Sequence, residues 1–326
     1  MEFSKMIQPA SKKSIFREEG YLVWCGTAVQ GDDGLYYLYY SRWPKQYGHQ
    51  GWVIACEVAY AVSDNSLGPF ISKGIALAGS GKDGGWDRDC IHNPTVKKFN
   101  GKYYLYYMGN YGNGEYWDHR NHQRVGVAVA DNPWGPWKRF DRPVIDVTPG
   151  SFDHLMTSNP TVERGKNGKY YAVYKAVGDG ILPKGGSVIC GVAIADSPLG
   201  PFIKEDKPIM INPKNDWSVE DPYIWYQDDQ FYALVKDFQG YFTKRGKNTV
   251  ALFQSKNGID WDPAEIPFAF ETKICWDDGT MQELTALERP QLLMENGKPT
   301  VLYCAASATE NREDSFNIAI PLCNQK

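Results

Sequence analysis

The stretch HNPTVKKFNGKYYLYYMGN, His92 to Asn110, decides the fold. Asn93-Pro94 opens a run in which Thr95, Val96 and Phe99 recur as strand formers, and Asn100-Gly101 supplies a tight turn that tolerates positive φ. Tyr103 to Met108 is then an aromatic-rich return strand. RVGVAVADNPWGPWKRF, Arg124 to Phe140, follows and reads as a third strand, a Pro/Gly turn and a fourth strand. Four antiparallel strands of this kind make one small sheet.

The same unit recurs along the chain. SNPTVERGKNGKYYAVYKAVG (158–178) precedes CGVAIADSPLGPF, and EDPYIWYQDDQFYALVKD (220–237) precedes NTVALFQSKNGIDW. Upstream, GTAVQGDDGLYYLYYSRWP (26–44) precedes CEVAYAVSDNSLGPF, and downstream ERPQLLMENGKPTVLYCAAS (288–307) precedes NIAIPL. The residue before the proline falls at 93, 159, 221 and 289, spacings of 66, 62 and 68. Five such repeats predict an all-β, five-bladed β-propeller over residues 20–326, a single domain of four-stranded blades. Residues 1–19 are a segment with Ile15 and Phe16 as packing anchors. Either terminus could supply the strand that blade five lacks after Ser307.

Composition fits: 21 Tyr and 11 Trp suit strands, and 32 Gly with 20 Pro suit many turns. A net charge of −4 without a basic run argues against nucleic acid. Seven cysteines without a C-x-x-C pair read as buried free thiols. The first residues lack an apolar signal core, and no run reaches membrane-spanning length, so no membrane partner is expected. The expectation is a soluble protein, cytoplasmic with this N-terminus and periplasmic or secreted if a leader peptide preceded it.

In a propeller, the first strand of each blade starts on the face that also carries the loops between strands two and three. Those loops are long in blades one to three. All five histidines (49, 92, 119, 122, 154) fall on or beside this face, as do Arg42, Trp43, Trp52, Glu57, Asp89, Arg120, Arg124, Lys175, Lys236, Glu220, Asp221 and Glu288. A polar pocket at the channel mouth is therefore expected. Carboxylates beside aromatic platforms suit sugars: rings stack on Trp and Tyr, and two carboxyls can flank a glycosidic bond as acid and base. Glu220 leads the candidates because Glu-Asp-Pro opens the innermost strand of blade four.

The repeat region resembles the five-bladed propeller glycoside hydrolases, families 43 and 117 especially. The likeness rests on the x-x-Pro…Gly-x-Tyr-Tyr-Leu-Tyr-Tyr hairpins, the Ser/Asp-Pro-x-Gly-Pro-Phe/Trp turns and Tyr-Tyr-Leu-Tyr-Tyr-Ser-Arg at 36–42. Family 43 implies an inverting mechanism with an Asp base in blade one, a tuning Asp in blade three and a Glu acid in blade four. The acid matches Glu220. The base position falls on Gly26, or on Cys25 if the strand is bulged, and the tuning position on Asn159. The sequence therefore departs from the family at both, and Glu57 or Asp89 is the expected replacement base, with Glu288 behind them. The implied activity is exo-acting hydrolysis of a plant or algal oligosaccharide.

Arg42, Trp43, His49, His92, Asn93, Arg124, His154, Asn159, Lys175, Asp221, Lys236, Glu288 and Arg289 are expected to bind substrate. The Arg, Lys and His set favours an anionic sugar. No cofactor is required. The resemblance leaves a place for Ca2+ or another divalent ion on the propeller axis, with His92 as its candidate ligand. Two other readings stand beside the hydrolase: a family 130-like phosphorylase in which Asp221 carries the proton, and a non-catalytic carbohydrate-binding propeller.

Overall fold

The computed structural model describes residues 1–323. Five antiparallel sheets are arranged in chain order about one axis. Their inner strands are Tyr21–Gln30, Cys90–Phe99, Met156–Arg164, Val219–Gln227 and Ala286–Glu295, and the last packs against the first, closing the ring. Each inner strand pairs with a Tyr-rich second strand, such as Lys102–Asn110 in blade two, whose rings fill the space between blades. Tyr39, Tyr106 and Tyr303 are fully buried there, with their hydroxyls donating to the carbonyls of Pro133, Pro198 and Ser66 in neighbouring blades' turns. A buried phenol needs such a partner, so these bonds fix how each blade seats on the next.

Two blades depart from the plain pattern. In blade two the expected fourth strand is reduced to single bridges, Val129 with Lys138 and Val125 with Ile145. Pro133, Pro136 and Pro143 remove the donors that a continuous ladder would need. In blade five the outermost strand comes from the N-terminus, where Ile15–Phe16 pairs with Phe316–Pro321. Phe3 and Met6 are buried with Trp225 and Trp276, so the N-terminal segment is also anchored in the core between blades four and five.

All five inner strands carry the same irregularity. The pairing jumps from Trp24–Ser41 to Thr27–Tyr39, from His92–Met108 to Thr95–Tyr106, and from Ser158–Lys175 to Thr161–Val173. Blades four and five repeat it, from Glu220–Lys236 to Tyr223–Leu234 and from Glu288–Ala305 to Gln291–Tyr303. One extra residue on the inner strand is a β-bulge. At each bulge one residue takes a left-handed backbone: Cys25 (φ 56°), Asn93 (53°), Asn159 (47°), Asp221 (57°) and Arg289 (56°). Pro94, Pro160, Pro222 and Pro290 follow four of them and cannot donate to the ladder. No helix among the described residues is long and apolar enough to cross a membrane.

Candidate active site

The five bulge residues form a polar ring on the axis. The Cys25 thiol donates to Asn93 Oδ1 (2.9 Å), Asn93 Nδ2 to Asn159 Oδ1 (2.5 Å), and Asn159 Nδ2 to Asp221 Oδ1 (2.6 Å). Arg289 Nη1 approaches the same Asp221 oxygen at 3.4 Å. Burial pushes the Cys25 thiol up, so it stays protonated and can act as donor. Asn and Asp tolerate left-handed φ better than other side-chain-bearing residues, whereas Cys25 and Arg289 are strained there. Strain of this kind persists only where the surroundings enforce it, and it concentrates at functional sites.

Above the ring lies a cavity of about 540 Å3, within the range of about 300–1,000 Å3 typical of small-ligand sites. The residue before each bulge faces it in four blades: Trp24, His92, Glu220 and Glu288. Second strands add Trp43, Lys175 and Lys236. Loops complete the wall with Trp52, Tyr116, Trp117, Arg120, Trp217 and Arg312.

The charges are mostly paired. Glu220, with 18% of its side chain exposed, accepts a short hydrogen bond from Lys175. Burial alone would raise its pKa, but Lys175 and Lys236 outweigh burial and hold it at about 2. Glu288 is bound by Lys236 at 2.8 Å and by Arg312 at 2.9 Å, and these cations likewise hold it low against burial. Asp221 goes the other way: burial and the Glu220 charge push it up to about 6.

His92 is neutral, because burial and the nearby Arg289 charge depress it. Its ring lies against Trp52, with centroids 5.0 Å apart, and its Nδ1 faces Cys56 Sγ at 3.0 Å. Nε2 faces Cys25 Sγ at 3.8 Å. Among the described residues no group of three or more His, Cys, Asp or Glu side chains is disposed to hold a metal ion. Five of the seven cysteines are buried, and none of the seven is in a disulfide.

Of the residues singled out from sequence, Trp43, His49, His92, Asn93, Asn159, Lys175, Glu220, Asp221, Lys236, Glu288 and Arg289 converge on this cavity. Five others do not. Glu57 is turned away to Arg42 at 2.8 Å, and Arg42 also holds Glu18, so Arg42 and Glu57 make a closed ion cluster on blade one. Asp89 is clamped by both arms of Arg88 and by the Gly112 amide. Arg124 pairs with Asp146 at 2.8 Å. His154 caps its own loop, accepting from the Gly150 amide. Glu57 and Asp89, the expected bases, are thus each paired with an arginine, and neither lines the cavity. The blade-one position equivalent to Asn159 and Asp221 is Cys25, through the bulge, while Glu220 matches Trp24, His92, Ser158 and Glu288. Trp24 was legible once that bulge is allowed for. Trp117 lies on the short helix Tyr116–Asn121 and Trp217 and Arg312 on aperiodic loops, none of which carries such a signal.

No family model matches the chain. It is 28% identical over 230 residues to a xylosidase/arabinosidase of Bacteroides ovatus, which covers 70% of this chain and 58% of that protein. The match thus spans little more than half of the relative's length. Among solved structures, a family 117 glycoside hydrolase from the marine bacterium Zobellia galactanivorans superposes with a TM-score of 0.65 at 21% identity, over 98% of this chain and 90% of that one. A thermostable family-43 glycoside hydrolase gives 0.65 at 16% identity, over 98% and 93%. The chain is a five-bladed β-propeller that resembles the family 43 and family 117 glycoside hydrolases.

Proposed function

We propose that the chain is a glycoside hydrolase acting on oligosaccharides, with Glu220 delivering the proton to the leaving oxygen and Glu288 activating water. The observation that carries the reading is the convergence of these two carboxylates, from equivalent positions in adjacent blades, on one tryptophan-walled pocket. The relatives' names, xylosidase/arabinosidase among them, support the same class.

Each role follows from its surroundings. Glu288 is held by Lys236 and Arg312 in the ionised form a base requires, and a sugar hydroxyl that draws off either cation restores its basicity toward water. Glu220 is held ionised chiefly by Lys175, with Lys236 and Arg289, against its burial. A sugar that engages Lys175 weakens that hold, and the buried carboxyl then takes up the proton an acid needs. Asp221 is a positioning residue: it ties the axial ring together and places a carboxyl that titrates near neutrality beside Glu220. Inverting chemistry needs two carboxyls separated by about 6.5–9.5 Å with water between, which adjacent blades can supply. The segments at residues 49–52, 116–123 and 310–312 wall the pocket on one side, and we read that walled pocket as favouring exo-action.

The test is chemical rescue. Glu288→Ala with an activated aryl glycoside and added azide should regain turnover and release a glycosyl azide of inverted configuration. Turnover by Glu288→Ala equal to that of the parent without azide would remove Glu288 from the mechanism.

A further inference from the structure

Two arginines of the pocket are short of anionic partners: Arg120 has none among the described residues, and Arg289 has one long contact to Asp221. Arg120, from the helix Tyr116–Asn121, is buried and donates only to neutral oxygens, Asn121 Oδ1 and the Lys184 carbonyl, both at 2.9 Å. It leans on Trp117, 5.6 Å from the ring centre, and no ion pair forms to it among the described residues. Arg289, only 1% exposed, reaches Asp221 through Nη1 alone at 3.4 Å, and its Nε and Nη2 have no hydrogen-bond partner. Both line the cavity, and both lie within electrostatic reach of Glu220.

A buried guanidinium without an anion is costly, and its fork geometry matches a carboxylate or phosphate. Neutral hydroxyls would not offset the Arg120 charge, and Asp221 meets only one nitrogen of Arg289. We infer that the pocket contains an oxyanion subsite in which Arg120 and Arg289 hold either the carboxylate of an acidic sugar or free phosphate. The inference rests on the glycosidase reading and names the chemistry of what that pocket takes. A sugar carboxylate makes the substrate a uronic acid glycoside. Phosphate makes it the attacking group: its oxygen bonds to the anomeric carbon as the glycosidic bond breaks, and the leaving oxygen takes the proton from the acid.

The experiment is calorimetric titration of the parent, Arg120→Gln and Arg120→Lys at pH 7 and constant ionic strength, with galacturonate, inorganic phosphate and galactose. At least one anion should bind the parent tenfold or more tighter than galactose, the scale of a charge-assisted bidentate contact. Arg120→Gln should lose that preference while its galactose affinity stays within about threefold, since only the charge contact is removed. Arg120→Lys, which keeps the charge and a donor toward Lys184, should retain part of it and so separates charge loss from misfolding. Galacturonate binding without phosphate binding identifies the sugar carboxylate, and the reverse identifies phosphate. Galactose bound as tightly as both anions, or equal weakening of all three ligands in Arg120→Gln, overturns the proposal. The glycosidase reading fails separately, if anions bind through Arg120 but no glycan is cleaved.

Discussion

Replacing Lys175 by Met isolates what holds Glu220 ionised. Burial is the largest influence on this carboxyl and acts upward, and Lys175 is the main opposing one. The gap between the ordinary value of 4.5 and about 2 corresponds to about 3 kcal/mol favouring the charged form. In the parent this stability is present above pH 4.5 and is lost as pH falls toward 2. Lys175→Met keeps the stem's volume and removes the charge, so Glu220 should titrate at or above 4.5, with Lys236 and Arg289 alone left to oppose burial. Carbon-13 NMR of labelled glutamate carboxyls, assigned with Glu220→Gln, reads the midpoint directly. The parent's Glu220 should stay ionised throughout pH 4–9. The variant's alkaline limb of kcat/KM should move upward with the new midpoint, because kcat/KM reports the free enzyme. A variant midpoint still below 3 would refute the reasoning, since Lys175 would then not be the controlling charge.

Other expectations follow from the same geometry. Asp221→Asn should abolish any kcat/KM inflection near pH 6. A carboxyl raised from 3.8 to about 6 costs stability as pH rises through that window, so denaturant melts should show the variant gaining on the parent between pH 4 and 6. Lys97→Met should lower stability by about 2–3 kcal/mol, because it strands a half-buried Glu163 now bound at 2.9 Å and removes the link to Tyr223 and the Ile224 carbonyl. Urea melts check this, and ligand binding at the opposite end of the axis should persist. Trp217→Ala, which removes a 41% exposed ring from the pocket wall, should weaken oligosaccharide binding by about 1 kcal/mol, about fivefold, by calorimetry.

The blades were legible because a hairpin such as Asn93 to Met108 repeats its turn and aromatic pattern, and periodicity survives divergence. The site was legible only where it rides on that repeat, as Glu220, Asp221, Glu288 and Arg289 do. Glu57 and Asp89 misled because a one-dimensional reading places them on the right face but cannot see Arg42 and Arg88 beside them. Cys25 is followed by Gly26 and not by the proline that follows Asn93, Asn159, Asp221 and Arg289, which left the blade-one position open between Gly26 and Cys25. Arg120 and Trp117 sit on a short helix that no other blade repeats. The two-residue strand Ile15–Phe16 is too short to carry a period, which left the closing terminus undecided.

The central claim is that Glu220 protonates the leaving oxygen of a glycoside bound in this pocket. Its most direct measurement compares Glu220→Gln with the parent on aryl glycosides of arabinose, xylose and galactose whose leaving groups range from dinitrophenol to phenol. Loss of an acid predicts a fall of about 10²–10⁴ in kcat/KM for the phenyl glycoside and little change for the dinitrophenyl one, which leaves unaided. An equal fall across all leaving groups, or none, would contradict it.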